Sequence, residues 1–251
     1  MAGALAAAIS AGDPHAAFTA YDVSPAQLER FASQVRRAQA AESNAAVVAS
    51  SDITFLAVKP QSIDTVLPEI SETDGLIASI VAGVRISRLE TAMPRARIVR
   101  VMPNTPALVG EMAAGYSAGS RVGDADLQLV GALLAHAGRA IPLPEELLDA
   151  VTGVAGSGPA FVARLIEAFI DAAVGEGLSR DVATSLVLAT FSGTARLLER
   201  NRLTPDDLIA MVSSKGGTTV AGRRVLESSG MHHTIRQTIA TAVARSKELG
   251  A

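Results

Sequence analysis

The chain has 251 residues, of which 49% are hydrophobic and 19% are charged, so it can bury the core of one large domain or of two smaller ones. Its net charge is −3 and only 3% of its residues are aromatic, which argues against nucleic acid as a partner. The sequence contains no cysteine, which excludes disulfides, thiolate nucleophiles and cysteine-ligated metal sites.

Signals for a metal, a membrane or a targeting route are also missing. The four histidines include no pair at i and i+4, so no metal site is expected. Charged residues, glycine or proline interrupt every long apolar stretch before it reaches the roughly 18 to 20 residues of a membrane helix. The apolar opening has no basic segment before it and is too short for a secretory signal. These features predict a soluble, cytoplasmic protein.

The first segments resemble part of a nucleotide-binding unit. Residues 1–12 predict a helix that ends at Gly12, where a left-handed cap is expected. A strand over Ala17–Val23 and a helix over residues 25–39 follow. This is the second half of a mononucleotide-binding unit, since the strand and the Gly-x-Gly-x-x-Gly turn that normally precede the first helix are absent.

Three continuous apolar runs are typical of strands buried in a parallel sheet: Ile53–Val58, Leu76–Val81 and Ile98–Met102. Helical stretches alternate with them, over residues 44–49, 62–70 and 87–93. The alternation predicts a doubly wound α/β domain, in which ligands bind beyond the carboxyl ends of the strands. The loops at Lys59-Pro60, Ala82-Gly83 and residues 103–106 are therefore expected on one rim.

A change of pattern near Leu143 predicts two domains, a dinucleotide-binding domain over residues 1–143 and a helical domain over residues 144–251. Residues 159–178 carry two adjacent apolar rows, and the next helix repeats the pattern. This apolar face is too wide for a lone surface helix. A second subunit that covers it is the favoured interpretation, and the core of an ordinary helical bundle is the alternative.

Two glycine-rich segments precede predicted helices. In Ser213–Thr219 (SSKGGTT), adjacent glycines and free N–H groups at a helix start can bind a carboxylate or a phosphate, although a simple helix cap is the alternative. Gly153–Ala160 (GVAGSGPA) follows no strand and lacks the Gly-Lys-Ser/Thr ending of a P-loop. It predicts a tight packing turn between helices.

Four segments together resemble the pyrroline-5-carboxylate reductase family: Val99–Pro106 (VRVMPNTP), Val151–Ala160 (VTGVAGSGPA), Val212–Thr219 (VSSKGGTT) and Ala242–Leu249 (AVARSKEL). The resemblance covers essentially the whole chain. It implies an enzyme that moves a hydride from NADPH or NADH to the C=N carbon of 1-pyrroline-5-carboxylate and forms L-proline. It also implies a Rossmann-type domain and a helical dimerisation domain, with dimers that often assemble further into decamers.

The resemblance also implies site residues by matching position. It assigns the cofactor groove to Ala57, Val58, Lys59, Pro60, Ala82 and Gly83, with Asn44 at the adenosine end and Asn104 and Pro106 near the nicotinamide. It assigns the substrate carboxylate to Ser214, Gly216, Gly217 and Thr218. Thr219 matches the position whose hydroxyl reaches the ring nitrogen and is the candidate catalytic residue. Glu145 matches an acidic position on the substrate side.

The chain departs from the family pattern in three places. The opening strand and glycine turn are absent, and Met1-Ala2 resembles the Met-Ala that normally follows them. We therefore expect an N-terminally truncated domain with weakened cofactor binding. Asp22 stands where the family often has a small hydroxyl or amide residue, and an acid there can bind a ribose 2′-OH but repels a 2′-phosphate. Lys215 replaces the usual proline, which adds a cation and removes a stiffening residue.

Two other classes of protein are alternatives to this interpretation. A β-hydroxyacid dehydrogenase has a similar two-domain plan but relies on a lysine general acid in its helical domain, and no lysine lies between Lys59 and Lys215. A non-catalytic dimeric scaffold would follow from loss of the nucleotide turn. It predicts a folded helical dimer that binds no cofactor. At Asp22, the alternative is an ordinary surface aspartate that ends a strand.

Overall fold

The computed structural model describes residues 1–250 and divides them into two compact units. Unit 1 comprises Met1–Pro159 together with the C-terminal residues from Thr241 onward, and unit 2 comprises Ala160–Ala240. The predicted boundary near residue 143 follows the end of the strands. The compact units divide later because Leu148 and Val151 pack against Gly115 in a strand of unit 1.

Unit 1 alternates helices and strands along most of its length. Its helices are α1 (Ala2–Gly12), α2 (Pro25–Gln34), α3 (Asn44–Ala49), α4 (Ile63–Val66), α5 (Ile86–Ala92), α6 (Asp124–Ala135) and α7 (Leu148–Val151). Its strands are β1 (Phe18–Ala20), β2 (Ala38–Ala40), β3 (Ile53–Leu56), β4 (Leu76–Ser79), β5 (Arg97–Met102), β6 (Met112–Ala118) and β7 (Gly138–Pro142). Short 3₁₀ turns flank α4 and follow β5.

The main sheet has five strands in the order β3-β4-β5-β6-β7. β3, β4 and β5 are mutually parallel, β6 runs antiparallel to β5, and β7 is parallel to β6. All four residues of β4 are buried, as its continuous apolar run predicts for a strand covered on both faces. The Rossmann-type fold class predicted from the sequence is confirmed.

Helices cover both faces of this sheet. Neighbouring residues on a strand point to opposite faces, and accordingly Ile77 and Ile98 belong to one apolar cluster with residues of α4 and α5. Ala78 and Val99 belong to a second cluster with Leu5 of α1 and residues of α6. The unit is therefore a three-layer α/β/α structure in which the apolar runs of the sequence form the middle layer.

β1 and β2 form a separate parallel pair. No ladder joins β1 to β3 in residues 1–250. In a doubly wound sheet of order 3-2-1-4-5-6, the opening strand lies between the strands that correspond to β1 and β3. The break in the sheet thus falls where the opening strand lies in that strand order. Ile53 and Phe55 of β3 are only half-buried, as expected for a sheet edge.

The structure corrects the prediction at Gly12. Its φ is not positive, and α1 continues through it. The guanidinium of Arg36 donates hydrogen bonds to the carbonyls of Ser10 and Ala11, so a left-handed cap is not needed. A Cβ at Gly12 would overlap the ring of His136. Glycine therefore accommodates a close approach of the His136 side chain, and no left-handed backbone conformation is involved.

Several predicted bounds also differ. The strand predicted over Ala17–Val23 is shorter, and the helix predicted to Gln39 ends at Gln34. The chain then turns at Arg37, with φ of 54°, so that Ala38–Ala40 can pair with β1. β6, β7 and α6 were not predicted. The segment predicted as a turn, Gly153–Ala160, is helical, because residues 152–156 form a π-helix and α8 follows.

Unit 2 is built from the helices α8 (Gly158–Gly175), α9 (Arg180–Asn201), α10 (Pro205–Val212), α11 (Thr218–Ser228) and α12 (Met231–Leu249). The first two residues of α8, and α12 from Thr241 onward, are counted in unit 1. Its core is small and centres on Ile170, Ala183 and Val187. Large apolar side chains of α8 and α9 remain exposed, including Val162, Phe169, Leu186 and Leu188. The wide apolar face predicted from the sequence is therefore not covered within unit 2.

The helical stretch Glu145–Gly175 has 31 residues and contains an 18-residue segment with a mean hydropathy of 1.2, so by length and composition alone it is long and apolar enough to cross a membrane. The sequence analysis predicted no membrane helix because charged residues, glycine and proline interrupt this stretch. One such helix is weak evidence for a membrane span, because an apolar helix that packs on protein passes the same test.

Replacement of Gly12 by alanine is expected to destabilise unit 1 by about 1–3 kcal/mol, because the added methyl group overlaps the His136 ring. Thermal unfolding would measure the change. The double variant Gly12→Ala/His136→Ala should recover most of the loss. Gly3→Ala in the same helix is the control, since its nearest atom would be 3.9 Å away. An equal loss in Gly3→Ala would contradict this account.

Candidate functional site

The predicted cofactor loops follow three parallel strands. Ala57, Val58, Lys59 and Pro60 follow β3, Ala82 and Gly83 follow β4, and Asn104 and Pro106 follow β5. Because β3, β4 and β5 are parallel and adjacent, their carboxyl ends lie at one edge of the sheet. The structure therefore brings these eight predicted residues together at one edge.

The loop after β4 is fixed at both ends and open in the middle. Val81 and Val84 are buried in the core, whereas Ala82 is exposed. Gly83 has φ of 75°, a left-handed conformation that favours glycine. A Cβ at Gly83 would also lie only 3.0 Å from the carbonyl oxygen of Leu249. Both features explain why glycine occupies this position.

Asn104 organises the loop after β5 through its side chain. The amide nitrogen donates to the carbonyl of Ala155 at 3.0 Å, and the amide oxygen accepts from the N–H of Ala113 at 2.9 Å. The residue is buried. Its side chain therefore joins the end of β5 to the start of β6 and to the π-helix, which holds the turn containing Pro106 in place.

The two residues predicted to lie at the adenosine end of the cofactor each make a side-chain hydrogen bond. Asp22 is exposed just beyond β1, where its carboxylate accepts from the N–H of Ser24 at 2.9 Å. Asn44 begins α3 and donates from its side chain to Glu69 at 2.9 Å. The hydrogen bond of Asp22 fixes the turn into α2 and leaves the second carboxylate oxygen for a ligand.

Glu145 has two strong partners inside unit 1. Its carboxylate oxygen accepts from the Arg100 guanidinium at 2.9 Å and from the N–H of Ile86 at 2.8 Å. The side chain of Arg100 is 5% exposed and that of Glu145 is 23% exposed. The Ile86 contact satisfies a free N–H group at the start of α5, which has no side-chain cap of its own.

The predicted substrate turn, Ser213–Thr219, lies entirely in unit 2 between α10 and α11. Gly216 has φ of 74°, and the N–H of Gly217 donates to the carbonyl of Ser214 at 3.0 Å. α11 starts at Thr218 without a side-chain cap, so its first N–H groups have no partner within the helix. Thr219 is exposed as the second residue of α11.

Two further features of this turn concern the anion site that the sequence predicts here. The hydroxyl oxygen of Ser213 is buried and has no hydrogen-bond partner within residues 1–250. Lys215 is exposed and brings a cation to the same turn. The amides at the start of a helix, with the helix dipole behind them, bind carboxylates well.

The helix before the turn is capped at its first residue. Thr204 and Asp207 form a capping box, with Asp207 accepting from the Thr204 backbone at 2.9 Å. The Thr204 hydroxyl and then its backbone N–H hold the pKa of Asp207 below its ordinary value of 3.8. This cap fixes the start of α10, the helix that leads into the turn.

The residues at the sheet edge suit a dinucleotide. Ala57 and Ala82 are exposed and small, so the backbone there is open to a flat ligand, and the exposed Lys59 supplies a cation for a phosphate group. α1 starts at Ala2 without a side-chain cap and contacts the turn after β5. The N–H groups at the start of a helix in this position are the groups that bind a pyrophosphate in doubly wound folds.

Sequence reasoning missed a set of buried polar residues behind these loops. Asp149 is 5% exposed, and Ser246 at the end of α12 is 9% exposed. Arg100 interrupts the apolar run Ile98–Met102 of β5, and a charged residue inside such a run is a signal that a partner of opposite charge lies beside it. No comparable signal marks Ser246.

Comparisons with known proteins agree with this geometry. A family model described as Pyrroline-5-carboxylate reductase dimerisation matches residues 145–249, and one described as NADP oxidoreductase coenzyme F420-dependent matches residues 1–83. The pyrroline-5-carboxylate reductase of Synechocystis sp. is 42% identical over 202 residues, which are 80% of this chain and 76% of the relative.

Two solved structures are similar over nearly the whole chain. The pyrroline-5-carboxylate reductase of Coxiella burnetii has a TM-score of 0.94 and 29% identity, covering 100% of this chain and 95% of its own. The Plasmodium falciparum pyrroline carboxylate reductase with NADP bound has a TM-score of 0.85 and 30% identity, covering 99% of this chain and 94% of its own.

The Rossmann-type unit, its strand-end loops and the family matches define an NAD(P)H-dependent oxidoreductase with a helical homodimerisation domain. The chain belongs to the pyrroline-5-carboxylate reductase family.

Replacement of Asn104 by alanine is expected to destabilise unit 1 by about 2–4 kcal/mol, because it leaves the Ala113 N–H and the Ala155 carbonyl without their partner. Chemical denaturation would measure the loss. Asn44→Ala is the matched control, since it removes one exposed hydrogen bond to Glu69 and should cost at most about 0.5 kcal/mol. Equal effects of the two changes would show that Asn104 does not organise the loop.

Proposed function

We propose that this chain catalyses the NAD(P)H-dependent reduction of 1-pyrroline-5-carboxylate to L-proline, the last step of proline biosynthesis. The observation that carries the proposal is the Ser213–Thr219 turn, in which free amides at the start of α11 and an adjacent lysine provide a site for a carboxylate. The membership of the chain in the family supports the same reaction.

The cofactor site would use the loops at the carboxyl ends of β3, β4 and β5, with Asn44 and Asp22 at the adenosine end. When bound, the reduced nicotinamide supplies a hydride for the C=N carbon. The small residues Ala57, Ala82 and Gly83 leave room for a flat ligand, and the clamp made by Asn104 keeps Pro106 in position beside it. The proposed task of this edge is alignment.

The substrate carboxylate would bind at Ser214, Gly216, Gly217 and Thr218. Thr219 would orient the ring nitrogen through its hydroxyl. A protonated imine is already electrophilic, and when its carbon gains a hydride the C=N π electrons become the nitrogen lone pair. The reaction therefore needs no cysteine, metal or strong base, in keeping with the composition.

Glu145 would act at the substrate side through Arg100 and the start of α5, since one of its carboxylate oxygens accepts from both. We assign the exposed apolar side chains of α8 and α9 to the homodimer contact, which also accounts for the apolar stretch Glu145–Gly175 without a membrane. A further assembly of dimers into a decamer, a cytoplasmic location and the absence of a nucleic-acid partner belong to the same proposal.

The function is tested in two assays. In one, 1-pyrroline-5-carboxylate and the reduced nicotinamide are supplied, and the loss of reduced-nicotinamide absorbance is followed. In the other, a small β-hydroxyacid and the oxidised nicotinamide are supplied, and the gain of that absorbance is followed. We expect turnover with the imine alone and stoichiometric L-proline. Oxidation of a β-hydroxyacid would favour the rival dehydrogenase. A folded dimer that does not quench or enhance NADPH fluorescence would favour the scaffold.

Thr219→Val removes the hydroxyl with little change of shape. We expect kcat to fall by roughly 10- to 100-fold, the usual cost of one hydrogen bond made to the reacting group, with little change in NADPH affinity. Thr219→Ser keeps a hydroxyl and should retain most of the activity. Unchanged kcat in Thr219→Val would remove Thr219 from the catalytic site.

Asp22→Ser removes the carboxylate that would repel a 2′-phosphate. We expect kcat/KM with NADPH to rise by about tenfold relative to NADH, because a negative charge near a phosphate disfavours binding. Steady-state assays with both cofactors would measure the ratio. Asp13→Ser, which alters another aspartate that accepts from the backbone N–H two residues later, is the control. A ratio that stays constant in Asp22→Ser would leave Asp22 as a turn-forming residue only.

A further inference from the structure

The last residues of the chain return to unit 1 and pack on the loop after β4. Gly250 and Leu249 lie against Gly83, since a Cβ at Gly250 would be 3.3 Å from the carbonyl oxygen of Gly83. The Nε–H of Arg85 donates to the carbonyl of Gly250 at 2.9 Å. We call residues 246–250 the tail.

The tail is fastened to unit 1 by a buried polar contact. The Ser246 hydroxyl donates to the Asp149 carboxylate at 2.7 Å, and both residues are buried. The other oxygen of Asp149 lies 3.8 Å from the Arg85 guanidinium. Arg85 therefore contacts Asp149 and the tail carbonyl at the same time, and it lies two residues after Gly83.

The rest of the loop has its own supports. Val81 and Val84 are held in the apolar core, and the N–H of Ile86 is held by Glu145. Between these points only Ala82 and Gly83 remain, and neither has a side chain that can anchor it. Glycine has the greatest backbone freedom of any residue. The tail is the element in contact with Gly83 that can restrict it.

We propose that Ser246, Asp149 and Arg85 are positioning residues that hold the Ala82–Gly83 loop, through the tail, in the conformation that binds the nicotinamide cofactor. The inference rests on the proposed function, because that function places the cofactor groove at Ala82 and Gly83. It assigns a role to the C-terminal end of α12 and to a buried aspartate that the reaction itself does not use.

A loop that must be ordered on binding costs affinity, and a loop that is already ordered does not. Removal of the Ser246 hydroxyl should therefore weaken binding of the free cofactor and leave the chemical step alone. A purely structural role would instead lower the melting temperature and leave the cofactor affinity of the folded protein unchanged.

The test compares Ser246→Ala with Ser246→Thr, which keeps the hydroxyl, and with Glu248→Gln, which removes an exposed ion pair with Arg245 from the same helix end. NADPH affinity is measured by fluorescence titration well below the melting temperature. Steady-state assays then give kcat and the KM values for NADPH and for 1-pyrroline-5-carboxylate.

We expect Ser246→Ala to raise the NADPH dissociation constant and KM by roughly five- to tenfold, with kcat and the KM for the imine within about twofold of wild type. Ser246→Thr should restore affinity and Glu248→Gln should not change it. A lower melting temperature with unchanged NADPH affinity would overturn the proposal. An equal loss of affinity for NADPH and for the imine would also overturn the proposal.

Hydrogen exchange of the amides of residues 82–86 supplies a readout that needs no cofactor. Faster exchange there in Ser246→Ala, with unchanged exchange in β4 and β5, is the expected result, and unchanged exchange in the loop would contradict the proposal. If wild-type protein binds no NADPH, the proposed function fails together with the cofactor role. If wild type binds and Ser246→Ala binds equally well, only the role of the tail fails.

Discussion

The parallel pairing of β3, β4 and β5 is the constraint on which the cofactor site depends. It places three loops that are far apart in sequence at one edge, and β4 can hold that position because all its residues are buried between two helical layers. Small residues at the strand ends then leave the backbone open to a ligand. The supporting side chains lie behind the edge, where Asn104 and Glu145 each bind two groups.

Backbone groups, rather than side chains, form much of each proposed site. Gly83 at the sheet edge and Gly216 in the turn before α11 both have positive φ, and the turn presents N–H groups rather than acidic or basic catalysts. This arrangement suits a reaction in which the substrate is already electrophilic and alignment provides the rate. It also explains how a chain without cysteine or a metal cluster in its described residues can belong to a family of redox enzymes.

The sequence predicted the elements whose signal is local. Continuous apolar runs identified β3, β4 and β5, and paired apolar rows identified α8 and α9. β6 escaped because its sequence, MAAGYSA, has little intrinsic strand preference and becomes a strand through packing, with Gly115 against Leu148 and Val151. The cap expected at Gly12 was wrong because Arg36, distant in sequence, satisfies the helix end.

The candidate site also contains some residues that the sequence could predict and others that it could not. Motif positions on the loops could be assigned from the sequence because glycine, proline and hydroxyl residues occur there in a specific order. The contacts of Glu145 with Arg100, and of Asp149 with Ser246, join residues 45 and 97 positions apart. Such pairs are set by the tertiary fold, and a single sequence carries no periodicity that reveals them.

We propose that the turn before α11 binds the substrate carboxylate and that the edge formed by β3, β4 and β5 binds the cofactor of the same reaction. A crystal structure of this chain with NADP⁺ and L-proline tests it most directly. The account predicts the proline carboxylate on the N–H groups of Gly217 and Thr218, and the nicotinamide beside Pro106. A proline carboxylate bound away from this turn, or a nicotinamide away from the ends of these strands, would contradict it.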